Sequence, residues 1–177
     1  SPPLSFVESL ADRGMPVGVK LGPGIPHESV PAGCEVQWVS VGGDVIEATL
    51  WFNELRRPGI RRAALVIGPN GAAELTSHED YVPGAQDVRT GPAEGYLYEP
   101  DGAVIRAGLV ADVARSLGGH LLDPHIAYIA APELMETPFA RAYRILEVRP
   151  YNVKALKAWV RANGIGVLDI KKRGMAV

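Results

Sequence analysis

The sequence has a single cysteine, Cys34, among 177 residues, so the chain cannot form an internal disulfide. A chain without disulfides is typical of a reducing compartment, and we expect a cytoplasmic protein. No apolar run approaches the roughly 18 residues that a membrane-spanning helix needs. The first residues, Ser1-Pro2-Pro3-Leu4, lack the basic and then apolar pattern of a secretion signal. We therefore expect no membrane partner.

The common catalytic and nucleotide-binding motifs are also missing, since the sequence has no P-loop, no G-x-G-x-x-G and no G-x-S-x-G. His120 and His125 invite a metal-site interpretation, but Pro124 lies between them and no further ligand cluster stands nearby. Loop and strand-edge roles are favoured for both. Cys34 has no Cys-x-x-Cys partner and is expected to be a small buried hydrophobe. The sequence thus offers no catalytic, cofactor-binding or metal-binding residue of its own.

What the chain does have is 47% hydrophobic residues, 21% charged residues, 20 glycines and 15 prolines. The apolar share excludes a disordered chain and suits one globular domain or two small ones. The many glycines and prolines predict frequent turns and short helices.

Apolar periodicity divides residues 1–75 into one helix and several strands. Leu4, Phe6, Val7 and Leu10 form one face of a helix that Gly14 ends. Strand-like runs follow at residues 17–21, 35–41, 45–52 and 62–67, with a shorter segment at 72–75. Gly42-Gly43 predicts a tight hairpin between two of them. The pattern indicates an α/β unit extended by an antiparallel meander.

Residues 76–94 have turn formers and no apolar period, and we interpret them as a linker to a second domain, residues 95–177. That domain is predicted to contain helices at 103–117 and 153–163, capped by Asp101 and Asn152. Strands are predicted at 125–130, 140–149 and 167–171. The second domain should therefore be a small α+β fold.

The charge is unevenly spread along the chain. From Arg141 onward nine basic residues face two acidic ones, and because the whole chain has a net charge of −2, the residues before Arg141 carry −9. The basic residues that are candidates for substrate contact are Arg141, Arg144, Lys154, Lys157, Arg161, Lys171, Lys172 and Arg173. Side chains alternate along a strand, so not all of the cations can converge.

Two interpretations of this basic end stay open at this point. It is either a phosphate-binding patch or an ordinary solvated surface. Tyr143 and Trp159 are aromatic residues that could stack on bases, although Trp159 lies near the apolar stripe of its helix and is expected in the core.

Several stretches together resemble a known family. Residues 1–4, 18–26 and 35–40 resemble the end of a Rossmann-like class I methyltransferase. Residues 96–109, 138–144 and 170–174 resemble the THUMP-like domain at the C-terminus of such enzymes. The resemblance covers nearly the whole chain except residues 76–94, and its most specific parts are Tyr98-Glu99-Pro100-Asp101 and Lys171-Lys172-Arg173-Gly174.

The resemblance implies the last strands of a methyltransferase sheet followed by a THUMP-like domain that ends before its expected closing elements. It also implies methyl transfer from S-adenosylmethionine, with the cofactor bound by a preceding N-terminal part that carries the glycine-rich loop. That part is the implied protein partner, and RNA is the implied substrate by analogy with other THUMP domains. The chain alone should be inactive.

Two other functions remain open from the sequence. The chain is alternatively a stand-alone nucleic-acid-binding module, or a structural domain whose basic end docks an acidic protein surface without contacting RNA. A homo-oligomer is compatible with each of these hypotheses.

Overall fold

A computed structural model describes residues 2–83 and 88–171, which form four helices and nine strands. The first part contains α1 (Leu4–Asp12), β1 (Val17–Leu21), β2 (Glu35–Val41), β3 (Asp44–Phe52), β4 (Arg62–Gly68) and β5 (Gly71–Ser77). The second part contains β6 (Tyr96–Pro100), α2 (Gly102–Arg106), α3 (Val110–Ser116), β7 (His120–Asp123), β8 (Ile126–Ala131), β9 (Ala140–Arg144) and α4 (Val153–Ala162). The predicted mixture of α and β elements is confirmed.

The first sheet has five strands in the order β1-β3-β2-β4-β5. The predicted hairpin joins β2 to β3, and its two turn residues, Gly42 and Gly43, have φ values of 61° and 97°. Both values lie in the left-handed region that glycine adopts without a steric penalty. β4 and β5 form a second hairpin, while β2 and β4 pair in parallel. Two hairpins are therefore joined side by side through a parallel contact that the residue pattern does not specify.

β1 forms one edge of this sheet, and β3 returns antiparallel between β1 and β2. Gly18 of β1 lies opposite Trp51, and a Cβ atom on Gly18 would come within 2.8 Å of the indole ring. Glycine at this position therefore leaves room for the Trp51 ring to lie over β1. Within residues 2–83 and 88–171, no strand pairs with the other edge of β1. That edge keeps a row of backbone groups available for pairing.

The second sheet is antiparallel throughout, in the order β7-β8-β6-β9. Its core is continuous with that of the first sheet, because α2 packs against β2, β3 and β4. The buried residues at this junction include Trp38 and Leu50 from the first sheet and Ala103 and Val104 from α2. The two sheets share one core through α2, so the core does not itself divide the chain into two domains. The domain boundary placed in residues 76–94 therefore remains a prediction.

The predicted helix 103–117 is wrong as a single element, because it is two short helices, α2 and α3. Gly108 adopts a φ of 67° between them, and this left-handed residue stops the first helix. The predicted cap is confirmed, since Asp101 Oδ1 accepts a hydrogen bond from the Ala103 amide at 2.8 Å. Turning the chain at Gly108 lets both short helices bury apolar side chains.

The C-terminal part differs from the prediction in two respects. β9 ends at Arg144 instead of residue 149, and residues 167–171 are not a strand. α4 is confirmed, with Asn152 Oδ1 accepting a hydrogen bond from the Ala155 amide at 2.9 Å. None of the α4 side chains is buried, although an inward apolar stripe was predicted. No helix in the described part of the chain is long and apolar enough to cross a bilayer.

Candidate nucleic-acid interface

The basic segment, residues 141–171, begins on an edge strand and continues through α4. On α4, the three cations Lys154, Lys157 and Arg161 fall on one side, because residues at i, i+3 and i+7 lie within a narrow angular range of a helix. All three are exposed. None of them forms an ion pair with a residue in the described ranges. The helix therefore presents a stripe of solvated positive charge.

β9 distributes its cations over two faces, as the alternation of a strand requires. Arg141 and Tyr143 lie on one face, and Arg144 lies on the other with Ala142, which packs against the core. Both arginines are exposed, and neither forms an ion pair with a described residue. Arg141 therefore shares the face of Tyr143 and Arg144 does not, in line with the expectation that not all of the cations converge.

Lys171 lies close to that face of the second sheet. Its ammonium group pairs with Glu99 of β6 and lies 5.9 Å from the centre of the Tyr143 ring. The hydrogen bond to Glu99 raises the pKa of Lys171 above its ordinary value. Arg141 pairs in register with Glu99 across β6 and β9. The structure thus brings Arg141 and Lys171 to one acidic residue.

A cleft of about 640 Å³, here called the groove, lies between the two sheets. Arg141 and Lys171 both line it. Its walls are the Gly42-Gly43 hairpin turn, the end of β4, the β6–α2 turn and the start of β9. Ile67 and Ile105 contribute apolar surface and are 37% and 43% exposed. The groove combines an apolar lining with charged groups, which is typical of ligand-binding clefts.

Arg149 does not belong to either surface, because it pairs with Glu147 and its guanidinium carbon lies 5.7 Å from the centre of the Trp159 ring. Trp159 is only half-buried in this arrangement, so the expectation that it lies in the core is wrong. Lys172 and Arg173, two of the predicted substrate contacts, lie outside the described residues. The predicted substrate contacts that the structure describes therefore fall into three groups. They are the α4 stripe, the pair Arg141 and Lys171 in the groove, and Arg144 on the opposite face of β9.

Glu99, Ile67 and Ile105 are groove residues that sequence reasoning did not select. Glu99 entered the sequence analysis only as part of the Tyr98-Glu99-Pro100-Asp101 stretch of the resemblance. Its register opposite Arg141 depends on the pairing of β6 with β9, which are 40 residues apart in the sequence. No local signal marks such a pair.

The two histidines considered for metal binding have different surroundings. His120 Nε2 contacts the Pro92 carbonyl oxygen at 2.8 Å, whereas His125 is exposed beside Asp123 at 3.2 Å. No group of three potential metal ligands is found in residues 2–83 and 88–171. Cys34 is buried as expected, and burial raises the pKa of its thiol to about 11.

The fold and the C-terminal segment define the class of protein to which this chain is related. Residues 140–177 match the family model described as THUMP domain-like. A crystal structure of a proposed methyltransferase from Porphyromonas gingivalis has the same fold over 89% of this chain, with a TM-score of 0.64 and 22% identity. The match covers 41% of that protein.

Two curated relatives narrow the relationship further. The chain is 34% identical over 168 residues to uncharacterized S-adenosylmethionine-dependent methyltransferases from two strains of Mycobacterium tuberculosis. The match covers 93% of this chain and 44% of each relative, so the chain spans less than half of their length. The resemblance to the C-terminal portion of a methyltransferase with a THUMP-like domain is thereby confirmed.

Proposed function

We propose that this chain is the substrate-positioning C-terminal portion of an S-adenosylmethionine-dependent methyltransferase that acts on RNA. One observation carries the proposal. Five cations of the basic segment have no ion-pair partner among the described residues, and they are Arg141, Arg144, Lys154, Lys157 and Arg161. Free cations placed on one exposed segment are suited to neutralising phosphates and releasing their counterions.

We place the site for the methyl donor in another part of the enzyme. A glycine-rich turn that leads from a strand into a helix is the usual cradle for its nucleoside part. The loop after β1, Gly22-Pro23-Gly24, instead leads into a single 3₁₀ turn at His27–Ser29. We therefore assign no cofactor contact and no methyl-transfer step to this chain, and its role is to hold the substrate.

The free edge of β1 supports an attachment to the catalytic part of such an enzyme. β1, β2 and β4 run in the same direction, and β1 offers an unpaired edge within the described chain. A preceding strand of the full-length protein would continue this sheet by ordinary strand pairing. The greater length of the curated relatives leaves room for such a part.

Binding of a fluorescein-labelled RNA hairpin, followed by anisotropy across a salt series, tests the RNA proposal. In the variant Lys154→Gln/Lys157→Gln/Arg161→Gln we expect binding to weaken at least tenfold at low salt. The slope of log K against log salt should fall by about 2 to 3, because each lost phosphate contact removes about 0.7 to 0.9. Glutamine keeps nearly the helix propensity of lysine and arginine, so α4 should persist.

The matched control is Arg13→Gln/Arg89→Gln/Arg115→Gln, which removes the same charge from exposed positions elsewhere. This control should retain most of the affinity and most of the salt slope. Equal losses in the two triple variants would mean that only net charge matters, and the proposal that the basic segment positions RNA would be abandoned.

Calorimetric titration with S-adenosylmethionine tests the assignment of the cofactor to another part of the enzyme. We expect no binding in the micromolar range, because the described residues lack the cradle. A micromolar site on this chain would refute the assignment.

A second candidate function rests on the apolar exposure of the same segment. Leu146, Val148, Tyr151, Val167 and Ile170 are 66% to 86% exposed, which favours a protein-docking role for the basic segment. In that case the chain would bind its methyltransferase part and show no specific affinity for RNA in the salt series. Sedimentation equilibrium would decide whether the partner is a second copy of the chain.

The cytoplasmic location that the sequence suggested remains a prediction.

A further inference from the structure

The exposed loop between β8 and β9, residues 132–139, is anchored by a buried side chain. Tyr98 of β6 is fully buried, and its hydroxyl accepts a hydrogen bond from the Met135 amide at 2.7 Å. The same hydroxyl lies 3.2 Å from the carbonyl oxygens of Glu133 and Met135, which can share its proton. A loop whose backbone is already fixed in this way loses little conformational entropy when it binds a partner.

The anchored loop presents apolar side chains to solvent between two carboxylates. Leu134 and Met135 are 56% and 45% exposed. Glu133 and Glu136 flank them, and both are exposed without an ion-pair partner among the described residues. Residues 133–136 are here called the knob. A surface of this composition is complementary to one that offers apolar side chains and positive charge.

The segment that follows β9 is a surface of that kind on the same chain. Its side chains Leu146, Val148 and Tyr151 are 74%, 66% and 80% exposed. Arg144 directly precedes them, is exposed, and has no ion-pair partner within residues 2–83 and 88–171. Segment 144–151 therefore combines apolar surface with an available cation.

The knob and segment 144–151 lie near the same end of the second sheet. Tyr96 of β6 pairs on one side with Ala131, the last residue of β8, and on the other side with Arg144, the last residue of β9. The knob begins two residues after Ala131. A two-fold axis near this end would place the knob of each copy against segment 144–151 of the other, and the assembly would close as a dimer with two identical contacts.

We infer that the chain forms a two-fold dimer in which the knob of each copy packs on segment 144–151 of the other. The exposed apolar side chains of the two surfaces cover each other, and the carboxylates of the knob face Arg144 of the second copy. The inference goes beyond the proposed function, because it needs no RNA and makes no use of the α4 stripe.

Sedimentation equilibrium over a concentration series measures the dimerisation constant. We expect Leu134→Thr/Met135→Thr to weaken dimerisation by at least about tenfold, because each lost apolar contact occurs twice in a symmetric dimer. The matched control is Val41→Thr/Ile46→Thr, which shortens apolar side chains that are 43% and 48% exposed on the first sheet. It should leave the constant unchanged, and circular dichroism would show that both variants fold. A wild-type chain that stays monomeric, or an equal loss in the control, would overturn the inference.

Charge reversal tests which surfaces meet. Glu133→Lys/Glu136→Lys and Arg144→Glu should each prevent self-association, because like charges would face each other at both contacts of the homodimer. In a mixture of the two variants, opposite charges meet at both contacts of the mixed dimer. Dimerisation should therefore return in the mixture to within about threefold of the wild-type constant. Two variants that remain monomeric when mixed would overturn the pairing of the knob with Arg144.

The variant Lys154→Gln/Lys157→Gln/Arg161→Gln separates this inference from the proposed function. It should dimerise like the wild type, although we expect it to bind RNA more weakly. A loss of dimerisation as large as that of the charge-reversed variants would place the contact on α4 and refute the dimer described here. A loss of RNA binding alone agrees with both the dimer and the proposed function.

Discussion

The arginines of the first sheet and those of the basic segment have the same chemistry and opposite surroundings. Arg57 donates hydrogen bonds to Glu35 and Glu74, with its Nε 2.9 Å from Glu35 Oε1. Arg61 pairs with Asp80 at 2.6 Å. On α4, by contrast, Lys154 and its neighbours in the stripe have no described ion-pair partner. The cations of the first set hold parts of the fold together, whereas those of the α4 stripe are exposed to solvent.

Arg62 is the extreme case within the first set. It is 8% exposed and donates hydrogen bonds to the carbonyl oxygens of Ala107 and Gly108, at 2.6 and 3.1 Å, and of Glu79 at 2.8 Å. Burial lowers its pKa from the usual value. By joining β4 to the end of α2, this side chain ties the first sheet to the second part of the chain.

Replacing Arg62 should have the largest effect on stability. Arg62→Met leaves buried carbonyl oxygens without donors, and we expect a loss of about 3 kcal/mol in the free energy of unfolding. Urea denaturation measures it. Arg115→Met, at an arginine whose side chain is 57% exposed, should change stability by less than about 0.5 kcal/mol. Similar losses in both variants would erase the distinction drawn for Arg62.

Arg57→Met should have the next largest effect, a loss of about 2 kcal/mol in the free energy of unfolding near neutral pH. The substitution leaves the buried carboxylate of Glu35 without its ion-pair partner. The figure lies below that of a fully buried pair, since the Arg57 side chain is 40% exposed. Burial raises the pKa of Glu74, but hydrogen bonds from Arg57 and Gln37 outweigh burial, and its pKa is lowered.

The lowered pKa of Glu74 sets the direction of the pH dependence. Its stabilising effect is complete above the usual pKa of 4.5 and is lost as the pH falls through the lowered value. Denaturation midpoints between pH 7 and pH 3 should therefore fall for the wild type. The midpoint of Arg57→Met should fall less, because this variant has already lost the hydrogen bonds. Parallel pH profiles would contradict this account of the network.

Removing the two helix caps, Asp101 and Asn152, should have the smallest effects on stability. Asp101→Ala should cost about 1 kcal/mol of global stability, because it removes the cap of a helix whose Ala103 and Val104 are buried. Asn152→Ala removes a similar bond from α4, which buries no side chain. We expect this change to fray α4, seen as faster amide exchange, without moving the denaturation midpoint. A matched fall in both midpoints would show that α4 is part of the cooperative unit.

Local signals in the sequence predicted several elements well. The Gly42-Gly43 turn, the strand 17–21 and the caps Asp101 and Asn152 all depend on neighbouring residues, and the structure confirms them. The helix 103–117 failed because its apolar period continues through Gly108, and only tertiary packing decides that this glycine becomes left-handed.

The candidate site was less accessible to sequence reasoning than the fold. Charge counting found the α4 stripe, because its cations share one helix. The groove instead needs β9, β6 and a turn of the first sheet to meet, and these elements are far apart in the chain. Contacts between elements so far apart in the chain produce no periodic pattern in the sequence.

The parallel contact between β2 and β4 has a consequence for how the chain reaches this structure. The hairpins β2–β3 and β4–β5 each close a short loop, whereas joining β2 to β4 brings together strands with the whole of β3 between them in sequence. Loop closure makes such a contact slower to form. In a refolding experiment with pulsed deuterium labelling, amide protection should appear first within the two hairpins and last along the seam between them.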